Sequence, residues 1–267
     1  MILFKRELKE SCGPMKKSII IILSIFFLQG VIHNLGHPVT PSLIEELGIS
    51  DFMFGLFFAT MSLGLMLGGP LWGSLGDHGN KRRYIVVGLL FYGFGQYMFG
   101  NVGNQYWMVF FRFVSGFGVA ASSALLISIL ICESGINSRT KYISWSVAAF
   151  TIGSSIGYYI GGQLGDLKFF TDLLKPNLYG NIFLIQGLAN TILAGYVFFA
   201  LKNMGLNEAV IIDKKPSVFQ GFKDIRLLDK TLIIFLLSLT LISIGTINIS
   251  KFMDKFLIAL GYTSGEL

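Results

Sequence analysis

Stretches of about twenty predominantly apolar residues recur seven times along this chain, and no other feature so narrows what it can fold into. An α-helix rises 1.5 Å per residue, so each stretch is long enough to cross the ~30 Å hydrocarbon layer of a bilayer. The stretches lie near 18–40, 52–74, 84–103, 106–132, 142–164, 180–201 and 231–252. A lone segment crosses lipid only if its backbone hydrogen bonds close internally, so the pattern predicts an all-α membrane protein. Composition agrees: 13% of residues are charged, about half the share of a soluble domain, and there are 25 Phe and 32 Gly among 267 residues. The first stretch is too long for a cleaved signal peptide and lacks a small-residue cleavage site after it.

Charge supplies orientation. Sixteen of the 21 Lys and Arg flank alternate ends of the stretches, from Lys5 to Lys17, at Lys81, Arg82 and Arg83, at Arg139 and Lys141, and from Lys202 to Lys230. Lys168, Lys175, Lys251 and Lys255 lie on the opposite side, and Arg112 falls within a stretch. The positive-inside rule then predicts a multi-pass plasma-membrane protein with a cytoplasmic amino terminus. The net charge of +6 follows from that topology and gives no reason to expect nucleic acid. Cys12 and Cys132 both fall on the cytoplasmic side, so no disulfide framework is expected. No metal-ligand cluster, nucleophile motif or phosphate loop occurs, which predicts neither an enzyme nor a cofactor. Seven spans also describe receptors and retinal proteins, but those place the amino terminus outside. A retinal protein also needs a lysine within the seventh span, and Lys251 reaches only that span's outer end.

Polar residues inside the spans mark candidates for a pathway. Gln29 and Asn34 in span 1, Gln96 in span 3 and Tyr158 in span 5 stand out, since a buried amide in lipid needs a partner or a cavity. His33 and His37 share a helical face with Gln29, and polar residues so near a helix end are ordinarily solvated at the interface. Pro38 and Pro41 are expected to end the helix and begin a loop. Arg112 lies about two turns inside the membrane, where a charge costs a few kcal/mol unless it snorkels outward. Small residues at four-residue spacing, Gly64/Gly68 and Gly69/Gly73 in span 2, Gly116 and onward in span 4, and Gly153/Gly157/Gly161/Gly165 in span 5, predict close helix packing.

Between spans 2 and 3 lies Gly73-Ser-Leu-Gly-Asp77-His-Gly-Asn-Lys81-Arg82-Arg83. His78-Gly79-Asn80 reads as a tight turn that uses the positive φ open to Gly and Asn. A basic cytoplasmic loop explains the three bases, and leaves the acid at the helix end unexplained. Gly-x-Leu-x-Asp, a turn and a basic cluster resemble the loop signature between helices 2 and 3 of the major facilitator superfamily, with Asn80 and His78 departing from its usual residues. Arg112-x-x-x-Gly116-x-Gly-x-Ala resembles that family's helix 4 motif, whose Arg is implicated in proton coupling. Gly153-x-x-x-Gly157-x-x-x-Gly161-Gly162 is similar to the helix 5 motif of its drug:proton antiporters, with Tyr158 where Pro is usual. A structural glycine zipper is the alternative reading of that stripe.

The resemblance implies alternating access by two rocking halves, with Gly73, Asp77, Lys81, Arg82 and Glu133 as a gating loop and charge network. Asp77 and Glu133 would pair with Lys81 or Arg82. Arg112 would tie protonation to the switch, and the proton gradient would supply the energy. The implied partners are lipid, protons and a small-molecule substrate. Proton-coupled efflux of small hydrophobic compounds is the expected activity, because aromatic walls with few charges bind many apolar solutes. A sugar or metabolite carrier is the alternative.

The chain also repeats itself. Lys17-Ser-Ile-Ile-Ile-Ile-Leu aligns with Lys230-Thr-Leu-Ile-Ile-Phe-Leu, and Leu47-Gly-Ile-Ser with Leu260-Gly-Tyr-Thr, both at an offset of 213. The expected organisation is a leader (1–17), a six-helix bundle (18–201), a cytoplasmic linker (202–230) and the first helix of an incomplete second bundle (231–267). On this expectation the chain is truncated, inserts, and does not transport alone.

Overall fold

The computed structural model of the chain describes residues 17–202 and 228–267. The predicted leader and most of the predicted linker lie outside the described residues. Seven long helices match the seven apolar stretches: α1 (Lys17–Asn34), α3 (Asp51–His78), α4 (Lys81–Asn101), α5 (Gln105–Glu133), α6 (Arg139–Asp166), α8 (Leu178–Ala200) and α9 (Lys230–Ala259). Two short ones, α2 (Thr40–Glu46) and α7 (Lys168–Leu174), lie between them. Among the described residues there is no strand. α1, α3, α5 and α8 have both the length and the apolar character to cross a membrane. α4 and α6 reach 21 and 28 residues, but glycine, hydroxyl and amide residues dilute their hydropathy.

The helices from α1 to α8 pack in pairs: α5 against both α3 and α4, α1 against α6, and α4 against α8. Glycine makes these approaches. A Cβ on Gly64 would strike the Phe113 carbonyl, and one on Gly116 the Met61 carbonyl. Likewise Gly153, Gly157 and Gly161 lie against the backbone of Phe27, Val31 and Leu35, so bare stripes replace side-chain interdigitation. Gly69 and Gly73 face open space, so of the two stripes expected in span 2 only Gly64/Gly68 serves packing.

Two apolar clusters fill the interior. Near the end bearing Lys17, Lys81 and Arg139, the basic end, lie Ile22, Ile85, Leu89, Leu126, Leu130 and Val197. Toward the far end lie Phe54, Phe57, Phe99, Met108, Phe111 and Phe183. Along each of α1, α4, α5 and α8, buried polar residues fall between the two clusters: Gln29 and His33, Gln96, Arg112 and Ser122, and Gln186 and Asn190. A polar layer thus crosses the middle of the bundle.

Span 1 departs from expectation. Its helix stops at Asn34, and the expected loop after Pro38 folds as α2 with Pro41 in the first turn, where a missing N–H costs nothing. His33 is buried against Tyr92 at 4.0 Å between ring centroids, and His37 stacks on Phe58 at 6.0 Å, so the break separates two side chains expected on one face. Gly79 also differs, with extended backbone at φ −137°, and Asn80 caps α4 by accepting from Arg83 N at 3.2 Å. Capping therefore makes the turn that positive φ was expected to make.

Positive φ appears instead at the repeat. Gly48 (φ +63°) and Gly261 (φ +94°) have it, 213 residues apart. Gly48 N donates to Glu45 O and Ile49 N to Ile44 O; Gly261 N donates to Ile258 O and Tyr262 N to Leu257 O. These are left-handed glycine caps in one register, and α1 and α9 also begin 213 residues apart, at Lys17 and Lys230.

Candidate functional site

The polar layer is built around Arg112. Asn104 caps α5 by accepting from Tyr106 N at 3.0 Å, and Arg112 follows two turns later, 1% exposed. Its Nη1 donates to Gln96 Oε1 at 3.2 Å, and its Nη2 reaches Thr40 Oγ1 at 3.5 Å. The guanidinium lies 3.7 Å from the Phe99 ring centroid, with Phe58 and Phe183 at 5.7 and 6.0 Å. Its Nε has no hydrogen-bond partner, and among the described residues it forms no ion pair with a carboxylate. Cation–π contacts return about 0.5–2 kcal/mol, against a few kcal/mol for a charge in lipid. The charge is held inward by aromatic rings, the Gln96 amide and the Thr40 hydroxyl, and it does not snorkel.

Beside it, the break in span 1 leaves carbonyls that a continuous helix would have used. Gln186 Nε2 donates to Ile32 O at 3.0 Å, to His33 O at 2.9 Å and to the Tyr92 hydroxyl at 3.1 Å. Tyr92 donates to His33 O at 3.1 Å, and Asn190 bonds Leu89 O. Gln29 donates to Ser122 Oγ at 2.7 Å. Sequence reasoning missed Tyr92, Thr40, Gln186 and Asn190 as members of this layer. The available signal was spacing, since Tyr92/Gln96 and Gln186/Asn190 are i, i+4 pairs that share a helix face.

The four expected pathway residues do not converge. Gln29 and Gln96 lie in the layer, Asn34 turns back onto Gly30 O at 3.0 Å, and Tyr158 is half-buried on α6. Tyr158 lines a cleft of about 320 Å³ with Ser155, Tyr159, Ser264 and Gly265. Gly162 approaches Ser264 O there, so it packs against the segment after α9 and not against a neighbouring helix.

At the basic end Lys81, Arg82 and Glu133 meet two hydroxyls and a ring. Asp77, in the last turn of α3, is exposed. Lys81 Nζ donates to Ser128 Oγ at 2.8 Å, and Ser18 Oγ donates to Glu133 at 2.7 Å. Arg82 stands over the Phe198 ring at 4.7 Å. Among the described residues the ion pairs are Lys175–Asp172 and Lys255–Asp51.

The family model described as Major Facilitator Superfamily matches residues 21–266. The chain belongs to that superfamily. Members of that superfamily are membrane transporters. Its relatives include protein spinster homolog 1 of Xenopus laevis, 26% identical over 56% of this chain and 29% of that protein. Multidrug resistance protein 1 of Bacillus subtilis is 28% identical over 55% of this chain and 38% of that protein. The class H tetracycline resistance protein of Pasteurella multocida is 26% identical over 76% of this chain and 49% of that protein. This superfamily member thus spans about half or less of the length of these relatives. The crystal structure of a bacterial homolog of the human lysosomal transporter Spinster shares the fold, with a TM-score of 0.61 at 19% identity over 68% of this chain and 42% of the other.

Proposed function

We propose that this superfamily member takes part in proton-coupled efflux of small hydrophobic compounds, with residues 18–201 as one rocking bundle, 202–230 as a linker and 231–267 as the start of the second bundle. The observation that carries the reading is Arg112, a buried guanidinium held by Gln96, Thr40 and Phe99 with no carboxylate among the described residues. Such a charge is costly where it stands, so a proton or water that enters the layer shifts the balance between states. Relatives named for multidrug and tetracycline resistance favour efflux over a sugar or metabolite carrier. The basic end would face the cytoplasm, where Asp77 and Glu133 would pair with Lys81 or Arg82 as the bundle rocks.

The experiment is ethidium efflux from energised membrane vesicles containing the protein together with a complete second bundle. An uncoupler abolishes proton-coupled efflux. Arg112→Ala lowers the rate about 5- to 150-fold, the span of a typical coupling free energy, with protein level unchanged on immunoblot. Efflux that survives both changes would overturn the proton-coupled reading.

A further inference from the structure

The two short helices, α2 and α7, have seven residues each and treat their apolar side chains oppositely. α2 turns Leu43 and Ile44 into the far cluster and leaves Glu45 and Glu46 exposed. α7 buries none of its residues. Its Phe170 and Leu174 are partly buried on an inner face, Leu174 against the far cluster. Phe169 and Leu173, four residues apart on another face, are 74% and 68% exposed. Lys168 and Asp172 are exposed on the side away from the bundle, and Lys175 follows them at 3.0 Å from Asp172. At 100° per residue, the exposed apolar pair stands about a quarter turn from both the inner pair and the charged one.

The neighbours of α7 fix its height. Asn181, in the first turn of α8, donates to Leu174 O at 2.6 Å, and Asn177 donates to Asn101 Oδ1 at the end of α4 at 3.1 Å. Shortly after Asn101, Tyr106 and Trp107 are exposed on the first turn of α5. Exposed Tyr and Trp at the ends of spans sit at the headgroup level of a bilayer. α7 therefore joins two spans where hydrocarbon gives way to headgroups. We propose that α7 is a foot in the leaflet at the far end, with Phe169 and Leu173 in the headgroup–acyl boundary and Lys168 and Lys175 at the lipid phosphates. The partner is the lipid surface itself. Lysine stems lie along apolar surface while their ammonium groups reach outward, so the two kinds of side chain serve one boundary. In water the same pair would stay hydrated, which α2 avoids by turning its apolar residues inward.

A depth measurement tests it. In the protein with Cys12 and Cys132 replaced by Ser, nitroxide labels are attached one at a time at Phe169→Cys, Leu173→Cys, Lys168→Cys and Asp172→Cys. Each variant is reconstituted in phosphatidylcholine vesicles together with a complete second bundle. Collision with oxygen, which concentrates in lipid, is compared with collision with a water-soluble nickel chelate. The labels at 169 and 173 should lie about 5–10 Å into the headgroup–acyl boundary, and those at 168 and 172 should be open to the chelate. Equal access of the chelate to all four would overturn the foot. Labels at 169 and 173 that neither probe reaches would also overturn it, giving this face to the second bundle or to another copy of the chain. The protein without substitutions supplies a second measurement. A photoreactive carbene precursor carried on a phospholipid near its headgroup should modify Phe169 or Leu173, as mapped by mass spectrometry, and the absence of modification there would overturn the proposal. Neither measurement reads transport, so both stand apart from the efflux reading.

Discussion

Residues 17–50 and 230–263 begin and end in the same register and differ between. Both open a helix at a lysine, and both close on a glycine cap 31 residues later, at Gly48 and Gly261. Between those points the first copy breaks after Asn34, whereas the second runs unbroken through α9 to Ala259. The residues at the break account for this. Gly36, Pro38 and Pro41 stand where the second copy has Ile249, Lys251 and Asp254. The break frees the carbonyls of Ile32 and His33 for Gln186 and Tyr92 and brings Thr40 to Arg112. One copy supplies backbone to a polar layer, and the other, unbroken, brings Lys255 to Asp51 and, beyond its cap, Ser264 to Ser42.

Replacing the surface on which the broken copy rests should have the largest effect. Gly157→Leu puts a side chain into the Val31 backbone and should cost about 3 kcal/mol, the upper part of the overpacking range. Gly69→Ala meets open space and should leave thermal unfolding in detergent unchanged. Equal melting temperatures for the two variants would mean that the stripe does not support the first copy. Next, Gln186→Leu removes one donor from each of the Ile32 and His33 carbonyls, which keep Leu35 N and the Tyr92 hydroxyl, and a cost of about 1 kcal/mol is expected. An unaltered melting curve would show that the break satisfies itself.

Gly48→Ala and Gly261→Ala sharpen the likeness of the two ends. Each forces a Cβ into left-handed backbone, and each should cost about 1 kcal/mol. Unequal losses would argue that only one cap is held by its surroundings. The smallest effect on stability belongs to Asp77→Asn, which should change it by well under 1 kcal/mol because the carboxylate is exposed. In vesicles it should nonetheless slow efflux if the loop pairs as the bundle rocks, and an unchanged rate would remove Asp77 from gating.

The seven helices were legible because span length in lipid is set by bilayer thickness, and an apolar run of twenty residues has few other uses. The repeat was legible from two short matches, and the paired caps give it a structural counterpart. The interior of the layer was harder to read. Gln186 and Asn190 read as isolated amides in an apolar span, because their partners Ile32 O, His33 O and Leu89 O are backbone atoms, on which sequence is silent. Tyr92 was hidden among the chain's 10 tyrosines, since only the fold places its hydroxyl at the broken helix.

Arg112 carries an electrical consequence. A guanidinium enclosed by rings, one amide and one hydroxyl, with no acid paired to it among the described residues, is an elementary charge within the span of the membrane. Moving one such charge through the whole potential is worth about 2.3 kcal/mol per 100 mV. A change of state that carries it a tenth of that distance therefore shifts the balance by ~0.2 kcal/mol per 100 mV. On the proposed alternating-access reading, the membrane voltage would then add a small bias of its own to the balance between the two states.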